Sequence, residues 1–151
     1  MWWWRRRRWL GYAAVLAVTL GLGVGCARAG PGVSGDDPRV IIHDLEGGMD
    51  AGLAGTLWYD AESRCLFVRH SADGQERLFG LLWPPGTTPV IDDDGRRGVD
   101  TPGKGLILDG DRVEFGGGAV FPPFEFDVPE DCVPETEFGT TGMFAITQFD
   151  D

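Results

Sequence analysis

Asp92-Asp93-Asp94-Gly95, with Asp100 close behind, is the first stretch whose residue types suggest chemistry. Carboxylate oxygens at Asp92, Asp94 and Asp100 are the kind of ligand Ca²⁺ takes, in sets of six to eight. The spacing is not that of an EF-hand loop, and Arg96 and Arg97 offset part of the charge. A solvated acidic turn therefore competes with calcium for this stretch, and no cofactor is expected elsewhere.

The other reactive side chains are scattered. His43 and His70 are far apart and neither has a metal-ligand partner at a usual spacing. The serines, Ser34, Ser63 and Ser71, do not sit in a Gly-x-Ser-x-Gly elbow. Carboxylates are plentiful, so a hydrolase using two of them is a formal alternative, but its cleft and separation are not written in a sequence. Residue types alone point away from an enzyme.

Cys26, Cys65 and Cys132 have distinct prospects. Cys26 follows Leu22-Gly23-Val24-Gly25, which reads as a bacterial lipobox with glycine where leucine is commoner. Lipidation of Cys26 leaves Cys65 and Cys132 as an even pair. Outside the cytoplasm such a pair is normally bridged. A metal ligand or a reactive thiol is the competing reading for each. Closing a loop of 132 − 65 = 67 positions contributes about 4 kcal/mol in the chain-entropy model.

Aromatic side chains are the remaining candidates for recognition. Trp58, Phe121 and Phe124 are the foremost candidates, with Tyr59, Trp83 and Phe126 nearby. Core packing is the commoner fate of aromatics in a small domain, and a binding face is the alternative.

The elements that would position these residues are short strands. Val40-Ile41-Ile42 is a short one, and residues 55–60, 65–70 and 77–83 are stronger. Asp73-Gly74 supplies the positive φ of a tight hairpin between the last two. Gly80 interrupts an apolar run and suggests a bend or bulge. Pro84-Pro85-Gly86 ends that strand, and residues 87–102 read as a long loop. Asp109-Gly110-Asp111 predicts a second hairpin that pairs 105–108 with 112–115. Gly116-Gly117-Gly118 marks a close backbone approach or a flexible exit. Residues 121–129 are extended and proline-punctuated, as in an edge or wrapping segment, and 143–149 is the last strand. The pattern predicts an all-β fold, a small five- to six-stranded OB-like barrel over residues 40–151.

Residues 1–25 read as an export signal. Arg5 to Arg8 form a basic n-region and residues 10–25 are uncharged and apolar. An uncleaved membrane anchor and a twin-arginine signal are alternatives, and all three readings place the domain outside the cytoplasm. Residues 26–39, rich in small residues, Gly and Pro, are expected to be a flexible tether.

The chain has 13 basic and 24 acidic residues, so removal of Arg5 to Arg8 leaves 9 against 24, a net of −15. Phosphate backbones need clustered cations, which disfavours nucleic acid as a partner. The same charge disfavours direct binding to anionic lipid.

Gly55-Thr56-Leu57, Cys65-Leu66, Leu82-Trp83-Pro84-Pro85-Gly86, Gly110-Asp111-Arg112-Val113, Gly116-Gly117-Gly118 and Cys132 together resemble a pattern of small lipoproteins of Gram-positive bacteria. The resemblance covers roughly residues 55–133 and implies an OB-like barrel with the same two-cysteine pairing. That family carries no established function. The resulting expectation is a lipid-anchored module on the extracytoplasmic face of the cell membrane. It would bind an envelope component, glycan or exported protein, or serve as an accessory subunit of a surface complex.

Overall fold

The computed structural model describes residues 30–47, 50–135 and 142–150. The expected signal and Cys26 lie outside the described residues. The fold is all-β: β1 Gly32–Ser34, β2 Val40–Ile42, β3 Ala51–Asp60, β4 Cys65–Ala72, β5 Gln75–Trp83, β6 Thr88–Ile91, β7 Arg97–Thr101, β8 Gly105–Leu108, β9 Arg112–Val120 and β10 Met143–Phe149. One short 3₁₀ turn, Glu130–Cys132, precedes β10.

Five strands close a barrel. β3, β4 and β5 form an antiparallel meander, β10 lies parallel to β5, and β9 returns between β10 and β3. The order around the barrel is β3-β4-β5-β10-β9, a Greek-key path of the OB type. Closure removes the exposed edges that an open five-stranded sheet would carry. The β4–β5 hairpin turns at Asp73-Gly74, both with positive φ, as that dipeptide predicts.

Strand alternation sorts the apolar residues into two layers. Leu53, Leu57, Leu66, Val68, Leu81, Trp83, Phe115, Phe144 and Ile146 fill the barrel interior. Their neighbours in sequence point outward: Cys65, Phe67, Leu82, Met143 and Ala145 join Ile41 in a second buried layer. A sheet residue and the next one face opposite sides, so a strand apolar at every position must be covered on both. The cover for the outer layer is the segment after β9. Phe124, Phe126, Val128 and Val133 pack on it, and the Cys65–Cys132 disulfide bolts it down. Residues 121–129 are thus the wrapping segment that their prolines predict.

Several expectations need correction. Residues 87–102 are not a single loop: β6 and β7 form there and pair with β8 as a separate three-stranded sheet. That sheet caps one end of the barrel by inserting Val99 and Ile107 into the interior layer. For the same reason the ladder expected between residues 105–108 and 112–115 does not form. β8 pairs with β7, whereas β9 pairs with β3 and β10. Asp109 to Asp111 still turns tightly, because the Asp111 carboxylate accepts the Leu108 N–H at 2.9 Å.

The glycines serve close approach. Gly116, Gly117 and Gly118 lie buried inside β9 and give no flexible exit. A Cβ on Gly117 would run into the Ala145 carbonyl, and one on Gly116 into Gln148. Gly80 is needed because the Cys132 carbonyl would sit 2.7 Å from any Cβ there. The bulge expected at Gly80 is found instead in β10, between Ile146 and Gln148.

The barrel domain begins before residue 40. Gly32–Ser34 pairs with β2, and Asp37 is clasped by Tyr59 and Arg97, so the ordered fold takes in part of the expected tether.

Candidate functional site

The outer face of β3, β4 and β5 carries the site. In the register, Trp58 lies opposite Phe67, Phe67 opposite Gly80, Thr56 opposite Arg69, and Arg69 opposite Leu78. Alternation puts all of these side chains on the outside of the barrel. Trp58 and Phe67 pack with ring centroids 5.8 Å apart. The Arg69 guanidinium lies 4.0 Å over the Trp58 ring, a cation–π contact. Glu76 approaches Arg69 at 3.9 Å, beyond hydrogen-bond reach, and the Arg69 Nε has no acceptor among the described residues. The guanidinium is held by the indole face, with 41% of the side chain open to solvent. Trp58 is half-buried, between the Arg69 guanidinium and the Phe67 ring.

Phe124 and Phe126 sit on the same outer layer, their rings 6.4 Å apart. The β3–β4 turn and the segment after β9 meet at this face. Besides the disulfide, Arg39 ties them by bonding both the Ser63 carbonyl and Asp131. OB-type barrels take extended oligomers on the face of their second and third strands, between the corresponding pair of loops. Here the covering segment occupies the Cys65 end of that face, and the Trp58–Arg69 corner stays open.

The sequence candidates separate accordingly. Trp58 and Phe124 come together on one layer. Phe121 does not join them: it lies at the end of β9 beside Gly142, 57% exposed. Trp83 is interior, 1% exposed, against Phe115. Arg69 escaped the sequence reading, although the alternation of Cys65, Phe67 and Arg69 along one strand places it beside Trp58's partner.

The acidic stretch has a structural occupation. One Asp92 carboxylate oxygen accepts the N–H groups of Asp94 (3.0 Å) and Arg96 (2.8 Å), and the other meets the Arg96 guanidinium at 3.0 Å. The Arg96 N–H, with smaller help from its side chain, holds Asp92 below the usual carboxylate range. Asp92 therefore shapes the β6–β7 turn. Asp100 stands opposite Thr88, three residues along β7 from the turn, about 10 Å away at ~3.3 Å per residue. Asp92, Asp94 and Asp100 do not converge.

His43 is buried: its Nε2 donates to the Ile146 carbonyl at 2.8 Å and its Nδ1 accepts from the Leu45 N–H. Burial pushes its pKa below the ordinary value, so the ring is neutral and fully used. His70 bonds the Ala54 carbonyl. The sulfurs of Cys65 and Cys132 are spent on each other, which leaves neither as a metal ligand or nucleophile despite the nearby Asp131. Asp37 is held below its usual range by Arg97, with help from the Tyr59 hydroxyl. Asp60 is held low by its bonds to Ser63.

Comparison with known proteins finds no family model that matches the chain, and no similar curated protein or solved structure.

Proposed function

We propose that this domain is a non-catalytic binding module, held on the extracytoplasmic face of the membrane by a lipid on Cys26, and that it takes an envelope glycan on the Trp58–Arg69 platform. The observation that carries the reading is the half-open indole with a guanidinium stacked on it, on the face that OB-type barrels use for oligomers. An indole face suits the apolar side of a sugar ring, and the guanidinium suits a carboxylate or hydroxyl on it. The disulfide agrees with an oxidising compartment. The resemblance to small Gram-positive lipoproteins agrees with the address.

The test uses the tryptophans. Beyond Trp9 only Trp58 and Trp83 remain, and Trp83 is sealed inside. Fluorescence changes in the chain from Gly30 onward therefore report Trp58. Peptidoglycan fragments should shift the emission saturably, and Trp58→Ala, which removes the reporter, should abolish the binding heat in titration calorimetry. An unchanged spectrum at saturating fragment, or binding that survives Trp58→Ala, would sink the glycan reading. Cys26→Ser should separately release the chain from the membrane fraction.

A second reading has its own observation. The covering segment already fills the Cys65 end of the oligomer face, which favours an accessory subunit that meets an exported protein. Crosslinking on intact cells that recovers one partner, with no glycan response, would select it.

A further inference from the structure

We infer, resting on the glycan reading of the Trp58 platform, that the ligand is a chain of several sugars whose far end sits in a second subsite. That subsite is the cleft between β8 and the start of β9. The cleft holds about 530 Å³, within the usual range for binding clefts.

Strand register joins the two places. Thr56 stands opposite Arg69 on one side and opposite Arg112 on the other, so the three residues form one row across β4, β3 and β9. Alternation along β3 turns Ala54, Thr56 and Trp58 to the same outer face. Arg69 lies over Trp58 at the platform, whereas Ala54 and Arg112 line the cleft. From the strand of Arg69 to the strand of Arg112 is two strand spacings, about 10 Å.

The covering segment leaves one direction open. It packs on Phe67 at the Cys65 end and the disulfide holds it there, so a ligand on Trp58 cannot extend that way. In the other direction along β3 lie Thr56 and then Ala54, which is exposed.

The chemistry of the cleft suits hydroxyl groups rather than an ion. Asp111 is paired with Arg96 at 3.5 Å, and the Lys104 ammonium donates to the Asp150 carbonyl at 2.7 Å. Lys104 and Arg112 then face Glu114 and Asp150, two charges against two, so the rim selects neither an anion nor a cation. Arg112 and Glu114, two positions apart on one face of β9, are exposed and have no ion-pair partner among the described residues. A guanidinium is all donor and a carboxylate all acceptor, and a sugar hydroxyl, which is both, can bond to each. Leu106, 57% exposed, lines the same cleft and supplies carbon surface for the C–H face of a sugar ring.

The test is titration calorimetry on the full chain in mild detergent, with peptide-free peptidoglycan strands of two and of six sugars as probes. The six-sugar strand should bind about tenfold or more tighter than the two-sugar strand, because its far end engages the cleft intramolecularly. Arg112→Ala should remove that gain and leave the two-sugar affinity unchanged. Leu106→Ser, which alters an exposed side chain, should remove part of it. Trp58→Ala should abolish the binding of both lengths. Equal affinity for the two lengths would overturn the second subsite and leave the platform reading standing. So would a gain that survives Arg112→Ala, since a longer chain also offers more places to bind, or a variant that weakens both lengths alike. Binding of neither length would remove the platform reading as well.

Discussion

The same strands build two apolar layers, and the layers are held in different ways. Inside the barrel, Leu57, Val68, Leu81, Trp83 and Ile146 are enclosed by strand closure and by the cap that Val99 and Ile107 plug into one end. Outside, Ile41, Phe67, Leu82 and Met143 lie on a sheet face that closure leaves open, and they depend on a separate segment secured by a covalent bond. The inner layer is a property of topology. The outer layer is a property of one cross-link and a few aromatic contacts, so it should fail first and by itself.

The largest effect should come from the inner layer. Trp83→Ala empties the biggest fully buried side chain and should cost about 3–5 kcal/mol in urea unfolding. Cys132→Ser should cost about 2–4 kcal/mol, and its signature should differ. The variant should bind a hydrophobic dye while retaining barrel amide protection, because only the outer layer opens. A global collapse of protection would erase the distinction between the layers. Gly117→Ala tests the closest backbone approach inside the barrel and should cost about 1–3 kcal/mol by overpacking against β10. Trp58→Ala, on the half-open corner, should cost only about 1 kcal/mol while removing the proposed glycan response.

Acid should sharpen the comparison. His43 is buried neutral, so below its unfolded pKa of about 6.5 the unfolded chain binds a proton that the folded chain refuses. Stability should therefore fall as pH drops from neutrality through 6.5 toward the lowered folded value. His43→Gln, if it folds, should flatten that slope. Asp37 acts lower on the scale: its contribution is present above about 3.8 and is lost as pH falls through its depressed value.

Legibility in the sequence followed locality. The hairpin at Asp73-Gly74, β5 and β10 could be read because their signals lie within one strand or one turn. The Cys65–Cys132 bridge was legible on the expectation that Cys26 is lipidated, which left an even pair. The three-stranded cap was not: Thr88–Ile91 and Arg97–Thr101 are short and carry Pro89, Gly98 and Asp100, so each lacks an apolar run. They become strands because Val99 and Ile107 plug the barrel. Arg69 at the platform was hidden for a similar reason, since its partner Trp58 lies on another strand and only the register joins them.

The pairing of Gly32–Ser34 with β2 has a consequence for where the molecule can work. In the proposed anchored form the leash from Cys26 to Gly32 is six residues, at most about 20 Å when fully drawn out. A leash of that reach keeps the barrel grazing the headgroups. Whatever it captures must come down to the bilayer or already lie there, and a ligand buried deep in an outer wall would be out of range.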